Sequence, residues 1–156
     1  EEARELSPVH VLLAHPTLES AAALVEPVEV LFFGAKDNCE SCEDTLQLVR
    51  EVTELDDRLS LSVYDVEADR DMAERYRVDK TPGLVIAGRD GDQLTDFGIR
   101  FAGIPAGHEF SSLVHDLLLV SSRDSGLSDP TRAFLKGVSK PVLLQVWERQ
   151  RAGLPA

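Results

Sequence analysis

Two cysteines separated by two residues are the side chains best suited to chemistry in this sequence. They end the stretch Cys39-Glu40-Ser41-Cys42, and the 156-residue chain contains no other cysteine. Thiols at this spacing can exchange with disulfides, because one thiolate attacks the target and the second thiol releases it. The spacing is also compatible with a permanent small disulfide, half of a zinc site, or two buried unreactive thiols.

Three observations favour the redox interpretation. A disulfide that closes so short a loop contributes little stability. Thiols at a junction between a loop and a helix are usually accessible. A closed zinc site needs two further ligands. No zinc-finger spacing occurs among the four histidines, which are His10, His15, His108 and His115.

A strand and a helix are expected to position the cysteine pair. Residues 28–33 are β-branched, aliphatic and aromatic except for one acid, which predicts a central buried strand. A helix is expected from Cys39 to about Leu55, because apolar residues recur at every third position from Leu46. Asn38 is the expected N-cap, so Cys39 would lie where unpaired amides and the helix dipole stabilise a thiolate.

The rest of the pattern alternates strands and helices. Strands are expected at 9–13, 59–66, 84–87 and 93–97, and helices at 17–25, 69–76 and 109–120. The last two strands form a hairpin around a turn at 89–92. Residues 98–107 contain three glycines and a proline, which predicts a loop. The expected order is βαβαβα, then a β-hairpin and a helix, which is an α/β fold.

Residues 121–156 are expected to form an appendage to a main domain of residues 1–120. A polar linker over 121–128 leads to a helix at 130–138 and an apolar strand at 141–147. A lone strand leaves its backbone N–H and C=O groups without partners. We therefore expect this strand to pair with an edge of its own sheet or with a second chain, which would give a homodimer.

Thr81-Pro82 is the second feature of interest. A proline cannot donate to a strand ladder, so one interpretation is an ordinary boundary between a loop and a strand. The sharper interpretation is a cis-proline in a tight turn beside the cysteines.

The order of these motifs resembles the thioredoxin superfamily over about residues 9 to 120. The resemblance rests on Phe32-Phe33-Gly34-Ala35, the C-x-x-C pair, a strand ending Asp65-Val66, residues 76–82, the turn at Gly91, and Phe101-Ala102-Gly103. Residues 98–110 are similar to the first unit of the two-unit protein disulfide oxidoreductases. They are also similar to the amino-terminal region of the alkyl hydroperoxide reductase flavoprotein.

The resemblance implies a thioredoxin fold with a C-terminal helix–strand appendage. It also implies roles for four residues. Cys39 would be the nucleophile and Cys42 the resolving thiol, Pro82 the cis-proline, and the Thr81 backbone would pair with the substrate. Residues 121–156 would correspond to the start of a truncated second unit.

The sequence departs from thioredoxin at two places beside the site. Asn38 stands where thioredoxin has a tryptophan before its first cysteine. Phe32 or Phe33 stands where thioredoxin keeps a buried aspartate that assists proton transfer. That aid is therefore missing here, or is replaced by Asp37 or a water.

Composition and charge limit the classes of partner. The formal net charge is −12, which opposes nucleic-acid binding and anionic membrane surfaces. No apolar run reaches the roughly 18 residues of a membrane-spanning helix. The opening Glu1-Glu2-Ala3-Arg4-Glu5 is unlike a signal peptide, which predicts a cytoplasmic protein.

We expect a thiol–disulfide oxidoreductase without a metal or cofactor, which reduces protein disulfides and contributes to cell redox homeostasis. Acids around the cysteines disfavour a thiolate, which favours a reductant over an oxidant. The electron donor would be of the thioredoxin-reductase type. The alternatives are a relay domain for a peroxiredoxin-type partner and a non-catalytic thioredoxin-like binding module.

Overall fold

The computed structural model describes residues 23–147, which form two compact units that divide between Ser125 and Gly126. The expected strand at 9–13 and most of the expected helix at 17–25 lie outside the described residues, and residues 24 and 25 are not helical. The first unit contains β1 (Val28–Gly34), α1 (Cys42–Thr53), β2 (Leu59–Asp65), α2 (Arg70–Arg75), β3 (Gly83–Asp90), β4 (Gln93–Ala102) and α3 (His108–Ser122). The second unit contains α4 (Asp129–Leu135).

The four strands form one mixed sheet in the order β2-β1-β3-β4. β1 runs parallel to β2 and antiparallel to β3, and β3 runs antiparallel to β4. Every residue of β1 is buried, because β1 has a strand on each side and packed side chains on both faces. The prediction of a central strand at 28–33 is confirmed.

Apolar side chains pack on both faces of the sheet. The larger core lies between the sheet and the helices α1 and α3 and includes Val30, Phe32, Val49, Val52, Leu84, Ile86, Phe110, Leu113 and Leu117. The smaller core lies on the opposite face, against α2, and includes Leu31, Phe33, Ala73, Tyr76 and Val85. Alternate residues of β1 therefore serve different cores, as the two-residue period of a strand requires.

α1 is shorter than expected at both ends. It begins at Cys42 and ends at Thr53, so Leu55 lies beyond it and is 44% exposed. Ser41 is the N-cap, and the expected N-cap, Asn38, lies in a loop with φ +57°. Asparagine tolerates this left-handed conformation better than most residues, and a residue in it cannot continue a helix.

The expected loop at 98–107 is partly wrong, because β4 continues to Ala102. The register moves from Ile86↔Ile99 to Ala87↔Asp96, so two residues of β4 bulge out of the ladder. One of them is Gly98, which has φ +84° and donates its amide to the Asp96 carboxylate at 2.8 Å. A glycine that would end a regular strand is thus accommodated in a bulge.

The expected strand at 141–147 is not present, so the predicted helix–strand appendage contains only its helix among residues 126–147. Its apolar side chains are exposed, with Leu144 at 87% and Val146 at 96%. Without a neighbouring strand, this segment has no ladder in which its backbone groups can pair. Trp147, the last residue of this segment, is 76% exposed.

Candidate active site

Cys39 and Cys42 form a disulfide at the end of β1. Cys42 is the first residue of α1, whereas Cys39 lies in the preceding turn and not in the first helical turn as expected. The Cys42 amide donates to the Cys39 carbonyl at 3.4 Å, which closes this turn. The Cα atoms of the two cysteines are 5.4 Å apart.

The two sulfurs have different surroundings, although both cysteines are half-buried. Cys42 packs against the larger core. A Cβ atom placed on Gly34 would lie 3.5 Å from Cys42 Sγ and 2.8 Å from a ring carbon of Phe32. The end of β1 therefore approaches Cys42 closely, and only glycine leaves room at position 34.

The Thr81–Pro82 peptide bond is cis, and it lies at the same end of the sheet as the cysteines. Phe33 pairs with Gly83, so the next positions outward, Gly34 and Pro82, face each other across β1 and β3. Pro82 is buried and Thr81 is half-buried. The topology thus brings the cysteine pair and Thr81-Pro82 to the same end of the sheet, with Gly34 between them.

The chain around Thr81 is tightly packed, because residues 78 and 80 lie close to Gly83. A Cβ atom on Gly83 would lie 2.7 Å from Val78 Cγ1 and 2.8 Å from the Lys80 carbonyl oxygen. Cβ atoms in proteins essentially never approach other atoms this closely. The second contact is with a backbone atom, which cannot move aside as a side chain can. Gly83 therefore sets how closely the segment before Pro82 approaches the sheet.

Negative charge surrounds the cysteine turn. The nearby acids are exposed and are Asp37, Glu40, Glu43 and Asp44; Lys36 is the basic residue in the same stretch. Asp65 adds a further carboxylate, since it ends β2 opposite Gly34. It was not among the predicted site residues. The Ala68 and Glu67 amides hydrogen-bond this carboxylate and lower the pKa of Asp65, so it is ionised at neutral pH.

No carboxylate occupies the end of β1 nearest the cysteines. Phe32 and Phe33 are both buried, and Asp37 is exposed. The buried acid of β1 is Glu29, at the other end of the strand, where hydroxyls of β2 hydrogen-bond it. A different polar group is buried near Cys42, namely the side chain of Thr45.

The two histidines among the described residues do not extend the site. His108 and His115 are exposed on α3. Among residues 23–147, no three histidine, cysteine or acidic side chains are grouped so that they could hold a metal ion. Within the same part of the chain, no helix is long and apolar enough to cross a membrane.

Comparisons with known proteins agree with this geometry. Residues 28–93 match the family model of the thioredoxin domain. The chain is 30% identical over 113 residues to an alkyl hydroperoxide reductase protein of Pseudomonas aeruginosa, and the match covers 72% of this chain and 18% of that protein. It is 37% identical over 95 residues to a protein of Ferdinandcohnia aciditolerans named NADH dehydrogenase, covering 61% of this chain and 15% of the relative.

Among solved structures, a protein disulfide oxidoreductase from Aeropyrum pernix K1 superposes with a TM-score of 0.67 and 35% sequence identity. The match covers 78% of this chain and 51% of that protein. The chain therefore spans about half of this structure and less than a fifth of the two curated relatives. From the fold, the disulfide and these matches, we conclude that the chain contains a thioredoxin-like domain with a C-x-x-C pair at Cys39 and Cys42.

Proposed function

We propose that this protein is a thiol–disulfide oxidoreductase that reduces protein disulfides. The observation that carries the proposal is the Cys39–Cys42 disulfide, which lies at the same end of the sheet as Thr81 and Pro82. A reactive pair needs an exposed side for its target and a fixed backbone beside it. This end of the sheet supplies the exposed side, because Cys39 and Thr81 are partly exposed. It also supplies the fixed backbone, because Pro82 is buried.

In the proposed reaction, the Cys39 thiolate attacks one sulfur of a target disulfide. The target S–S bond breaks, a mixed disulfide forms, and one target thiolate leaves. The Cys42 thiolate then attacks Cys39 Sγ and expels the second target thiolate. The target disulfide takes up two electrons and two protons and becomes two thiols. The protein ends as the Cys39–Cys42 disulfide.

Burial supports the assignment of the two roles. Cys42 packs against the larger core beside Gly34, whereas Cys39 lies in the turn outside α1. An attacking thiol needs access to a foreign disulfide, and a resolving thiol needs only to reach its neighbour. In this scheme the Thr81 backbone pairs with an extended segment of the target next to its disulfide.

The charges around the site support a reductant. A thiol–disulfide protein becomes an oxidant when its reduced form is stabilised, which requires a stabilised thiolate. The acids around the cysteine turn and Asp65 oppose a thiolate. We expect a reduction potential near that of thioredoxin, about −270 mV, and equilibration with glutathione measures it. A potential above roughly −180 mV would contradict the argument from charge.

A second candidate is electron relay to a peroxiredoxin-type partner, from a flavoprotein donor of the thioredoxin-reductase type. The similarity to the alkyl hydroperoxide reductase protein of Pseudomonas aeruginosa over 72% of this chain favours it. The chemistry at Cys39 and Cys42 would be the same, and the partner would differ. Faster reduction of a peroxiredoxin disulfide than of insulin would favour the relay.

Reduction of insulin disulfides with dithiothreitol as the electron source tests the main proposal. Wild type should accelerate the reaction, and Cys39→Ser and Cys42→Ser should not. Ser41→Ala is the matched control, since it alters the same motif without removing a sulfur, and it should retain activity. A wild type that does not accelerate the reaction would leave a binding module as the better account. An active Cys39→Ser variant would instead contradict the assignment of Cys39 as the attacking thiol.

A further inference from the structure

One buried hydroxyl in α1 has no hydrogen-bond partner among the described atoms. Thr45 is completely buried, and its Oγ1 atom is unpaired. Thr53 of the same helix provides a comparison, because its hydroxyl donates to the Val49 carbonyl at 3.0 Å and lies 3.1 Å from the Arg50 carbonyl. The helix backbone can therefore satisfy a threonine hydroxyl, but it does not satisfy Thr45.

Leaving a buried donor unsatisfied is unfavourable, because the group loses its hydrogen bonds to water and gains none in return. Such a group in a native structure calls for an explanation, and one explanation is a partner that exists in only one functional state. Only the amide of Thr45 bonds to the preceding turn, at 2.9 Å from the Ser41 carbonyl. The hydroxyl is thus available to a neighbouring group whose bonding and charge change during the reaction.

Cys42 is the group that changes. It lies three residues before Thr45, and side chains at this spacing are neighbours on one face of a helix. Helical side chains also lean towards the helix N-terminus, so the Thr45 side chain leans over the turn that contains Cys42. Cys42 Sγ lies on the sheet side of α1, near Gly34, and the complete burial of Thr45 places its side chain against the sheet as well.

We propose that the Thr45 hydroxyl donates a hydrogen bond to Cys42 Sγ once the Cys39–Cys42 bond is broken. This proposal rests on the proposed function and assigns a donor to the resolving sulfur. When an incoming thiolate attacks Cys39 Sγ, a new S–S bond forms there. The electron pair of the old bond leaves on Cys42 Sγ, which becomes a thiolate. The hydroxyl keeps its proton and stabilises that charge.

The surroundings explain why a hydroxyl would serve here. A disulfide sulfur is a weak acceptor, whereas a thiolate is charged and accepts a stronger hydrogen bond. The end of β1 nearest the pair carries the buried side chains of Phe32 and Phe33 and no acid. A neutral donor adds no negative charge beside the thiolate, in contrast to a carboxylate. Thr45 therefore acts as a hydrogen-bond donor and not as a base.

Ionisation of Cys42 tests this contact in the Cys39→Ser background, where Cys42 is the single thiol. The pH dependence of iodoacetamide alkylation measures its pKa. Thr45→Val should raise the Cys42 pKa so that about tenfold less thiolate is present at a given pH, the size of a bond worth about 1.4 kcal/mol. Thr45→Ser should stay near the parent. Thr53→Val is the matched control, because it removes a buried hydroxyl elsewhere in α1.

Reduction of the otherwise unaltered protein by dithiothreitol gives a second readout. Thr45→Val should slow opening of the Cys39–Cys42 disulfide at least threefold, since Cys42 is the leaving thiolate. The oxidised Thr45→Val protein should be no less stable to denaturant than wild type, because the change removes an unsatisfied group.

Equal ionisation of Cys42 with and without the Thr45 hydroxyl, to within twofold, would overturn the proposal. So would equal effects of Thr45→Val and Thr53→Val. Neither measurement uses a protein substrate. A wild type that fails to reduce insulin would therefore contradict the proposed function without changing the result for Thr45.

Discussion

The Gly103 amide donates a 2.8 Å hydrogen bond to the Pro82 carbonyl. This bond joins the residue that follows β4 to the residue that precedes β3, and so extends the β3–β4 ladder past Gly83↔Ala102. Gly103 has φ +100°, a conformation that glycine adopts without strain. Pro82 is thereby fixed from the side of β4, while Gly34 of β1 faces it from the other side.

Gly83→Ala should destabilise the protein and lower its activity. The new Cβ atom would meet Val78 Cγ1 and the Lys80 carbonyl oxygen at under 3 Å, so the segment before Thr81 must move. Overpacking of this kind typically costs about 1–3 kcal/mol of unfolding free energy. Urea denaturation measures that loss, and insulin reduction measures the effect of moving Thr81.

Adding Val78→Ala to Gly83→Ala is the control for this prediction. It removes the side-chain clash and leaves the clash with the Lys80 carbonyl, so stability should recover only in part. If Gly83→Ala alone is as stable and as active as wild type, the segment before Pro82 is not held as closely as described.

Much of the fold could be predicted because its central elements carry strong local signals. The apolar run of β1 and the spacing of apolar residues in α3 leave little choice of secondary structure. The cysteine pair and Thr81-Pro82 could be found from their residue types. The ends of elements were less certain, since Asn38 and Ser41 are both good N-caps and only tertiary packing decides between them.

Arg123→Met should destabilise the protein by about 1–3 kcal/mol. The Arg123 guanidinium donates to the carbonyls of Val120, Pro27 and Arg89 at 2.6, 3.0 and 3.1 Å, and it lies 3.5 Å from the Asp90 carboxylate. Methionine keeps the apolar stem and removes every donor. Chemical denaturation should show a lower midpoint.

Arg70→Met is the matched control, because Arg70 is exposed at the start of α2. It should change the midpoint much less than Arg123→Met. Arg123→Lys should also be destabilising, since one ammonium group cannot reach three carbonyls in the geometry of a guanidinium. Equal midpoints for Arg123→Met and Arg70→Met would show that the hydrogen bonds of Arg123 to Val120, Pro27 and Arg89 do not stabilise the protein.

Asp56 should contribute to acid unfolding. Hydrogen bonds from the Arg58 side chain and amide lower the Asp56 pKa from its usual 3.8 to about 2. A carboxyl with a lowered folded pKa stabilises the protein above the unfolded value. That contribution is lost as the pH falls from about 3.8 towards 2.

The difference in stability between wild type and Asp56→Asn should therefore shrink over this range of pH. Denaturation at a series of pH values measures it, with Asp57→Asn, an exposed neighbour, as the control. A difference that is constant from pH 5 to pH 2 would show that the Asp56–Arg58 pair does not couple folding to protonation.

Other features could not be predicted because they depend on contacts between distant residues. The two-residue bulge around Gly98 depends on the pairing of β4 with β3, so the glycine alone indicated a loop. The apolar run at 141–147 has the composition of a strand, but a strand also needs a neighbour. The isolation of the Thr45 hydroxyl is visible only once burial and hydrogen bonds are known.

The central claim is that Cys39 attacks the target and Cys42 resolves the intermediate, and trapping that intermediate tests it most directly. Reduced Cys42→Ser and reduced Cys39→Ser are each mixed with oxidised insulin, and intact and peptide masses locate any covalent adduct. We predict that Cys42→Ser accumulates a mixed disulfide through Cys39, because nothing remains to release it, and that Cys39→Ser does not. An adduct through Cys42 in Cys39→Ser, with none in Cys42→Ser, would contradict the account.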